Sequence, residues 1–273
     1  MEIRGPSGKF YVIGSELGVN DKFKLYQCSD GDNDVCILKI ARKAAWNGLL
    51  DREAFLLQLL AKEAEELEIE YEKVKKDDKK LNYHFFFPQL IESFTSPEQE
   101  NSRINIVSFK HIAKKLSDLT PIGHLTSREN VRVDPRTSAW ILGKLLTMIA
   151  FTKNQSVLIN NITGDNVLIN RDQHYVTIFD WTEASLGSGE ISSDLVVSDI
   201  IKATKEVTKI LSYDYLTEKL PEDKQLEGND YEKYLSELSS GRIKDVVQAH
   251  KQFYQIVLSA WPREFYKFTT HTI

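Results

Sequence analysis

The most informative part of this chain is Val157-Leu-Ile-Asn-Asn-Ile-Thr-Gly-Asp-Asn-Val-Leu-Ile169, followed closely by Tyr175-Val-Thr-Ile-Phe-Asp-Trp181. It predicts two short apolar strands with polar residues at their ends, Asn161 and Asn166 before one strand and Asp180 after the other. Oxygen-bearing side chains placed in this way can hold a hard cation such as Mg²⁺. Asn and Asp also cap backbone groups in ordinary turns, so both interpretations stay open at this point.

The chain before this stretch is rich in strand patterns. Apolar or alternating runs predict strands at residues 10–13, 23–28, 35–40, 85–94 and 103–109. A leucine-rich helix is predicted from about Leu49. The charged run at residues 63–80 is acidic up to Glu72 and basic from Lys73. It predicts an exposed extension of that helix followed by a loop, with a partner-binding segment as the alternative.

The chain after residue 111 is mainly helical in pattern. Asp134 followed by Pro135 is a typical helix start, because Asp accepts hydrogen bonds at the N-cap and Pro fits the first helical position. A long core helix is predicted from there, and further helices at about 197–211 and 243–261. A β-rich first third before a helical remainder predicts an α+β protein with a boundary near residues 109–113.

Composition excludes several classes of protein. The chain has 273 residues, 41% of them hydrophobic, and a net charge of −5. The apolar fraction is sufficient for a packed core, and the charge gives no electrostatic case for nucleic acid. No uncharged apolar run approaches the ~20 residues that a membrane-spanning helix requires. Cys28 and Cys36 do not form a disulfide framework, so we expect a cytoplasmic globular protein with no membrane and no nucleic-acid partner.

Taken with its N-terminal third, the sequence resembles the protein kinase superfamily of the eukaryotic Ser/Thr type over about residues 9–268. Leu17–Tyr26 stands where that family has its glycine-rich loop between two strands. Cys36-Ile-Leu-Lys39 is similar to the Val-Ala-Ile-Lys strand of the family, and Arg52-Glu53-Ala54 opens the helix that supplies the partnering Glu.

The second half of the resemblance lies in the opening stretch and just after it. Ile162–Ile169 is similar to the end of the catalytic loop, and Ile178–Thr182 stands in place of Asp-Phe-Gly. Asp199 resembles the buried Asp that opens the central helix of the C-lobe and holds the catalytic-loop backbone. The resemblance implies a two-lobed kinase-like domain, with an N-lobe over 1–111 and a C-lobe over 112–273.

The resemblance also implies Mg·ATP in the interlobe cleft and a role for each matched residue. Lys39 would contact the α- and β-phosphates and Glu53 would hold that Lys by ion pairing. Gly18 and Asn20 would lie over the nucleotide. Asn166 and Asp180 would bind Mg²⁺. For Lys39 the plainer alternative is a strand-edge Lys that extends to solvent.

Three departures from the family pattern weaken the case for catalysis. Asn161 stands in the position of the catalytic base, and a neutral amide cannot accept a proton from a substrate hydroxyl. Asp165 is the nearest acidic alternative. The glycine-rich loop keeps only Gly18, although Asn20 tolerates a left-handed conformation and could replace one glycine. A Trp follows Asp180, and the span from Asp180 to Asp199 is only nineteen residues, with no Ala-Pro-Glu.

These departures are similar to those of divergent prokaryotic and viral kinase-like proteins. They indicate first a pseudokinase, or a strongly attenuated kinase, that retains Mg·ATP binding. The alternatives are an active atypical phosphotransferase acting on protein Ser/Thr or another hydroxyl, and, ranked last, a small-molecule kinase. The predicted partners are a nucleotide and either a protein substrate or a regulated protein.

Overall fold

The computed structural model describes residues 2–31, 35–75, 80–211, 230–261 and 264–272. The chain divides into two compact units. The first contains Met1–Leu119 together with Phe179–Glu183, and the second contains Thr120–Ile178 and Ala184–Ile273. The lobes expected from the sequence divide after residue 111, and residues 179–183 were expected in the C-lobe.

The first unit is built on a six-stranded antiparallel sheet with the order β1-β2-β3-β4-β6-β5. Its strands are β1 (Glu2–Arg4), β2 (Phe10–Val19), β3 (Phe23–Ser29), β4 (Cys36–Ala41), β5 (Gln89–Ser96) and β6 (Ser102–Ser108). The predicted strands at 10–13, 23–28, 35–40 and 103–109 are confirmed within a few residues, except that β2 extends to Val19. Residues 32–33, in the predicted turn between β3 and β4, lie outside the described residues.

Both faces of β4 are buried, which explains its nearly continuous apolar sequence. Cys36, Leu38 and Ile40 belong to an apolar cluster on one face of the sheet. Since side chains alternate along a strand, Lys39 points to the opposite face. This alternation is the reason that a Lys can interrupt the apolar run without interrupting the core.

Helix α1 (Asn47–Val74) packs in the same unit through residues spaced three and four apart. Its buried residues are Leu50, Glu53, Ala54, Leu56, Leu57, Leu60 and Ala64. After Ala64 its side chains are mostly exposed. The predicted helical extension into the charged run is therefore confirmed as far as Val74, whereas residues 76–79 lie outside the described residues.

The strand predicted at 85–94 begins later than expected. Residues Tyr83–Phe86 form a 3₁₀ helix, and β5 starts only at Gln89. Pro88 has no N–H to donate to a ladder, so pairing begins after it. The aromatic run before Pro88 packs instead of pairing, and Phe86 and Phe87 are buried.

The second unit is mainly helical. Its helices are α2 (Ile122–Ser127), α3 (Pro135–Asn154), α4 (Ser193–Ile210), α5 (Tyr231–Ser239) and α6 (Val246–Ala260). Helix α3 is the central element, with most of its side chains buried, and it packs against α4 and α6. The predicted start of α3 is confirmed, because Asp134 accepts a 2.7 Å hydrogen bond from the N–H of Thr137 and Pro135 lies in the first turn.

Short strands complete the fold. They are β7 (Leu119–Pro121), β8 (Val131–Val133), β9 (Val157–Leu158), β10 (Val167–Asn170), β11 (Tyr175–Ile178), β12 (Ser185–Leu186) and β13 (Thr270–Thr272). The two short apolar strands predicted on either side of Arg171 are confirmed as β10 and β11, and they pair as an antiparallel hairpin. No helix in the described ranges is long and apolar enough to cross a membrane.

Candidate functional site

Three predicted site residues come together in the first unit. The Nζ atom of Lys39 lies 2.6 Å from Oε1 of Glu53 and 2.7 Å from Oδ1 of Asp180. The side chains of Lys39 and Glu53 are 2% and 1% exposed, whereas that of Asp180 is 21% exposed. The alternative of a Lys39 that extends to solvent is therefore wrong, since its ammonium is enclosed by two carboxylates.

The fold positions this group through β4, α1 and β6. Lys39 is paired in register with Asn105 of β6, and Glu53 lies on the buried side of α1. The amide nitrogen of Asn105 donates to Oε2 of Glu53 and to the carbonyl of Leu50, both at 2.9 Å. Asn105 thus fixes the Glu53 carboxylate against its own helix.

Asn105 is a site residue that the sequence analysis missed. Its only signal is a single amide within the apolar run Ile104-Asn-Ile-Val107. A fully buried amide needs partners for its polar atoms, so a strand position of this kind indicates a specific hydrogen-bonding role. The hydroxyl of Ser93 satisfies the amide oxygen at 2.5 Å.

Burial and charge act in opposite directions on the three titratable groups. Burial alone would lower the pKa of Lys39, but the carboxylates of Asp180 and Glu53 outweigh it and hold that pKa above its ordinary value. Burial would raise the pKa of Asp180, but the neighbouring Lys39 ammonium holds it below its usual range. For Glu53, which is more deeply buried, burial prevails and raises the pKa.

The segment around Asp180 is held by its neighbours in the first unit. The ring of Phe179 lies 4.9 Å from Nζ of Lys39, and the N–H of Trp181 donates to Oε1 of Glu53 at 3.2 Å. The N–H of Thr182 donates to Oδ1 of Asp180 at 3.1 Å. Trp181 is fully buried, with its ring edge-on to Phe87 at 6.3 Å. Trp181 therefore anchors the Asp180 segment in the core of this unit.

The turn between β2 and β3 carries the other predicted nucleotide residues. Oδ1 of Asn20 accepts from the N–H groups of Lys22 and Phe23 at 2.8 and 2.7 Å, which closes a tight turn. Asn20 is not among the described residues with positive φ. The expectation that it replaces a glycine in a left-handed conformation is wrong, because its side chain closes the turn instead. Gly18 pairs with Leu25, and a Cβ added to Gly18 would meet no atom within 4 Å.

The segment around residues 159–166, which resembles a catalytic loop, belongs to the second unit, where Asp199 holds its backbone. The carboxylate of Asp199 accepts from the N–H groups of Ile159 and Asn160 at 2.9 and 3.0 Å. Nζ of Lys202 donates to the Asn160 carbonyl at 2.6 Å. Burial raises the pKa of Asp199 against the lowering effect of these N–H groups. The expected structural role of Asp199 is confirmed.

Asn161 and Asn166 are neighbours within this loop. The amide nitrogen of Asn166 donates to the backbone carbonyl of Asn161 at 2.6 Å, which orients the amide oxygen of Asn166 away from that carbonyl. Asp165 is directed elsewhere, with its side chain 91% exposed and 3.9 Å from Nε2 of His124. The loop therefore has an amide, not a carboxylate, at the expected position of the base.

Each unit, taken by itself, offers donors of the kind that the expected ligands require. Asp180 in the first unit has a carboxylate and Asn166 in the second unit has an amide oxygen, both hard donors of the type that Mg²⁺ prefers. Lys39 offers a fixed positive charge for phosphate. Among the described residues, no three or more His, Cys, Asp and Glu side chains cluster as a metal site.

Sheet, helices and site together define an α+β protein with a protein-kinase-like fold. The chain is similar to the solved structure of vaccinia related kinase 3, with a TM-score of 0.65 and 14% sequence identity, over 95% of this chain and 91% of that one. No protein-family model matches the sequence. No curated protein matches it either. At 14% identity the likeness concerns the fold.

Proposed function

We propose that this protein binds Mg·ATP and is a pseudokinase, or a kinase whose phosphate transfer is strongly attenuated. The observation that carries the proposal is selective retention. The buried group of Lys39, Glu53 and Asp180 is assembled, whereas the position of the catalytic base holds Asn161.

Each retained residue has a role in binding. Lys39 contacts the α- and β-phosphates, and Glu53, itself held by Asn105, keeps the ammonium in place. Asp180 and Asn166 supply oxygen atoms to Mg²⁺, which when bound neutralises charge on the phosphates. The 21% exposure of the Asp180 side chain supports this role, because a ligand can reach it.

The absence of a catalytic base affects the rate of phosphate transfer and leaves the binding of Mg·ATP unaffected. General-base catalysis typically contributes about 10²–10⁴-fold. Phosphoryl transfer depends mainly on positioning and charge neutralisation, so an Asn at this position attenuates transfer without removing it altogether. The N–H of Asn161 donates to the carbonyl of Ile159 at 2.7 Å, a backbone hydrogen bond that does not depend on the side chain at this position.

An active atypical phosphotransferase is the second candidate. It is favoured by the exposed carboxylate of Asp165, immediately before Asn166, which could accept a proton from a protein Ser/Thr hydroxyl. A small-molecule kinase ranks lower.

The missing base and the Trp after Asp180 further support a place for this protein among divergent prokaryotic and viral kinase-like proteins. A cytoplasmic location is also part of the proposal.

Transfer of labelled γ-phosphate to generic protein acceptors tests the proposal. We expect background or slow transfer by the wild type and an increase of about 10²–10⁴-fold in Asn161→Asp, which restores the base. Asn154→Asp is the control, since it adds the same charge at the exposed end of α3, and it should leave the rate unchanged. Fast wild-type transfer that is lost in Asp180→Asn or Asp165→Asn would support the active enzyme instead.

A further inference from the structure

The second unit contains a cavity of about 430 Å³. Helices α3 and α6 and the segment 264–268 line it, and none of its lining residues is a candidate nucleotide or metal residue. Its volume falls in the range of small-molecule sites in proteins, about 300–1,000 Å³. Aromatic side chains are prominent in its walls, namely Trp140, Phe253, Tyr254, Trp261, Phe265, Tyr266 and Phe268.

The aromatic rings support one another in fixed geometry. The ring of His174 lies between those of Trp140 and Phe265. Its centroid is 4.7 Å from that of Trp140 and 4.8 Å from that of Phe265, on which it is stacked with an interplanar angle of 17°. Trp140 also meets Phe268 edge-on at 6.3 Å. Stacked and edge-on contacts between aromatic rings are favourable, so the rings of this wall hold one another in position without a ligand.

The packing of α3 against α6 beside the cavity depends on the absence of a side chain at Gly143. A Cβ at this position would lie 2.6 Å from the ring of Phe253, too close for any real contact. Nearby, Oγ1 of Thr147 and Nε2 of His250 are 3.2 Å apart, which joins α3 to α6 beside the cavity. The cavity is therefore bounded by closely packed helices.

Lys144 is the distinctive polar group of this cavity. It lies on α3 among the lining residues, and its side-chain ammonium makes no hydrogen bond or ion pair with any residue in the described ranges. Burial lowers its pKa. Burial, and then the charge of Lys144, lower the pKa of His174. The other charged lining residues, Arg136 and Glu264, lie 3.5 Å from each other as an ion pair.

A half-buried ammonium without a partner is costly, and a carboxylate satisfies it with a charge-assisted hydrogen bond. We propose that this cavity is a binding site for a small carboxylic acid with an apolar body, whose carboxylate pairs with Lys144 and whose body packs on Trp140, Phe253 and Phe265. The site is independent of the proposed Mg·ATP site, because it uses none of the same residues.

Calorimetric titration of the full chain tests this inference. The probes are naphthalene-2-carboxylate and decanoate, which separate an aromatic from an aliphatic body, each compared with its uncharged alcohol. We expect at least one acid to bind about tenfold or more tightly than its alcohol, as a charged hydrogen bond provides. Lys144→Met should weaken acid binding by about tenfold and leave alcohol binding unchanged, whereas Lys144→Arg should retain acid binding.

A second variant separates the cavity from nonspecific adsorption. Val257→Phe adds a ring to the lining and should weaken both the acid and its alcohol. Thermal melts followed by circular dichroism verify that each variant is folded. Absence of binding by both acids at millimolar concentration would overturn the inference, as would equal acid binding by the wild type and a folded Lys144→Met.

Discussion

Asn105 lies directly opposite Lys39 in the β4–β6 ladder, and its amide holds the carboxylate with which Lys39 pairs. The amide nitrogen is 2.9 Å from Oε2 of Glu53, and the Lys39 ammonium is 2.6 Å from Oε1 of the same group. Both oxygens of a buried carboxylate are thereby engaged. A buried ion pair is weak evidence for stability, but a fully satisfied one fixes the position of its charges.

Removal of Lys39 should destabilise the fold because it leaves the buried Glu53 carboxylate uncompensated. For Lys39→Met we expect the free energy of unfolding to fall by about 3–5 kcal/mol, measured by urea denaturation. The double variant Lys39→Met/Glu53→Gln removes the stranded charge and should recover part of that loss. If the free energy of unfolding of Lys39→Met lies within about 0.5 kcal/mol of the wild-type value, the buried ion pair is contradicted.

Asn105→Ala tests the amide that holds Glu53. The change strands Oε2 of Glu53, so we expect a loss of about 1–3 kcal/mol in the free energy of unfolding. Asn154→Ala, at the exposed end of α3, is the matched control and should change stability by no more than about 0.5 kcal/mol. Equal effects of the two substitutions would show that Asn105 has no special role.

Asp199→Asn tests how the catalytic-loop segment is held. The amide is neutral and has only one oxygen, so one of the N–H groups of Ile159 and Asn160 keeps an uncharged acceptor and the other loses its acceptor. We expect faster amide hydrogen exchange at residues 159–161, measured by mass spectrometry, with little change in β4 of the first unit. Unchanged exchange at 159–161 would show that Asp199 does not order the loop.

The pH dependence of stability should reflect His111 in the first unit. Burial lowers its pKa below the ordinary value of 6.5. Its Nε2 lies 3.1 and 3.2 Å from the carbonyls of His84 and Phe87, which neutral imidazole can satisfy as a donor. Below pH 6.5 the unfolded chain binds the proton first, so stability falls as pH falls toward the lower folded pKa.

Thermal melts at pH 7.5 and pH 5.5 measure this effect. We expect a lower melting temperature at pH 5.5 and a smaller difference in His111→Gln, whose amide replaces the Nε2 donor without titrating. A pH difference that is the same in His111→Gln and in the wild type would assign the effect to other groups, among which His174 and His250 also have lowered pKa values through burial.

Local signals predicted much of the fold from the sequence. Asp134 and Pro135 define the start of α3 because capping depends only on neighbouring residues. The short helix α5 was missed, although Tyr231, Tyr234, Leu235 and Leu238 have helical spacing and are all buried. The apolar run from Phe85 predicted a strand, but the strand begins only after Pro88. Pro88 has no N–H to donate to a neighbouring strand, so pairing cannot include it in the way the apolar pattern suggested.

The spacing of residues along the sequence does not by itself predict which side chains meet in the candidate site. Lys39 and Asp180 are 141 residues apart, and no local pattern brings such residues together. Their presence in one site was expected only through the kinase resemblance, which paired Lys39 with Glu53 and assigned Asp180 to Mg²⁺, so the ion pair between Lys39 and Asp180 was not predicted. Asn105 was missed even so, because its role follows from its register opposite Lys39 and not from its sequence neighbours.

Calorimetric titration of ATP into the wild-type protein, with and without Mg²⁺, measures whether the protein binds Mg·ATP. Asp180→Asn and Lys39→Arg serve as comparison variants, since one removes the carboxylate charge and the other keeps the positive charge near Glu53. We expect Mg²⁺-dependent ATP binding by the wild type, its loss or strong weakening in Asp180→Asn, and partial retention in Lys39→Arg. Absence of ATP binding by folded wild-type protein, with or without Mg²⁺, would contradict the proposed nucleotide site.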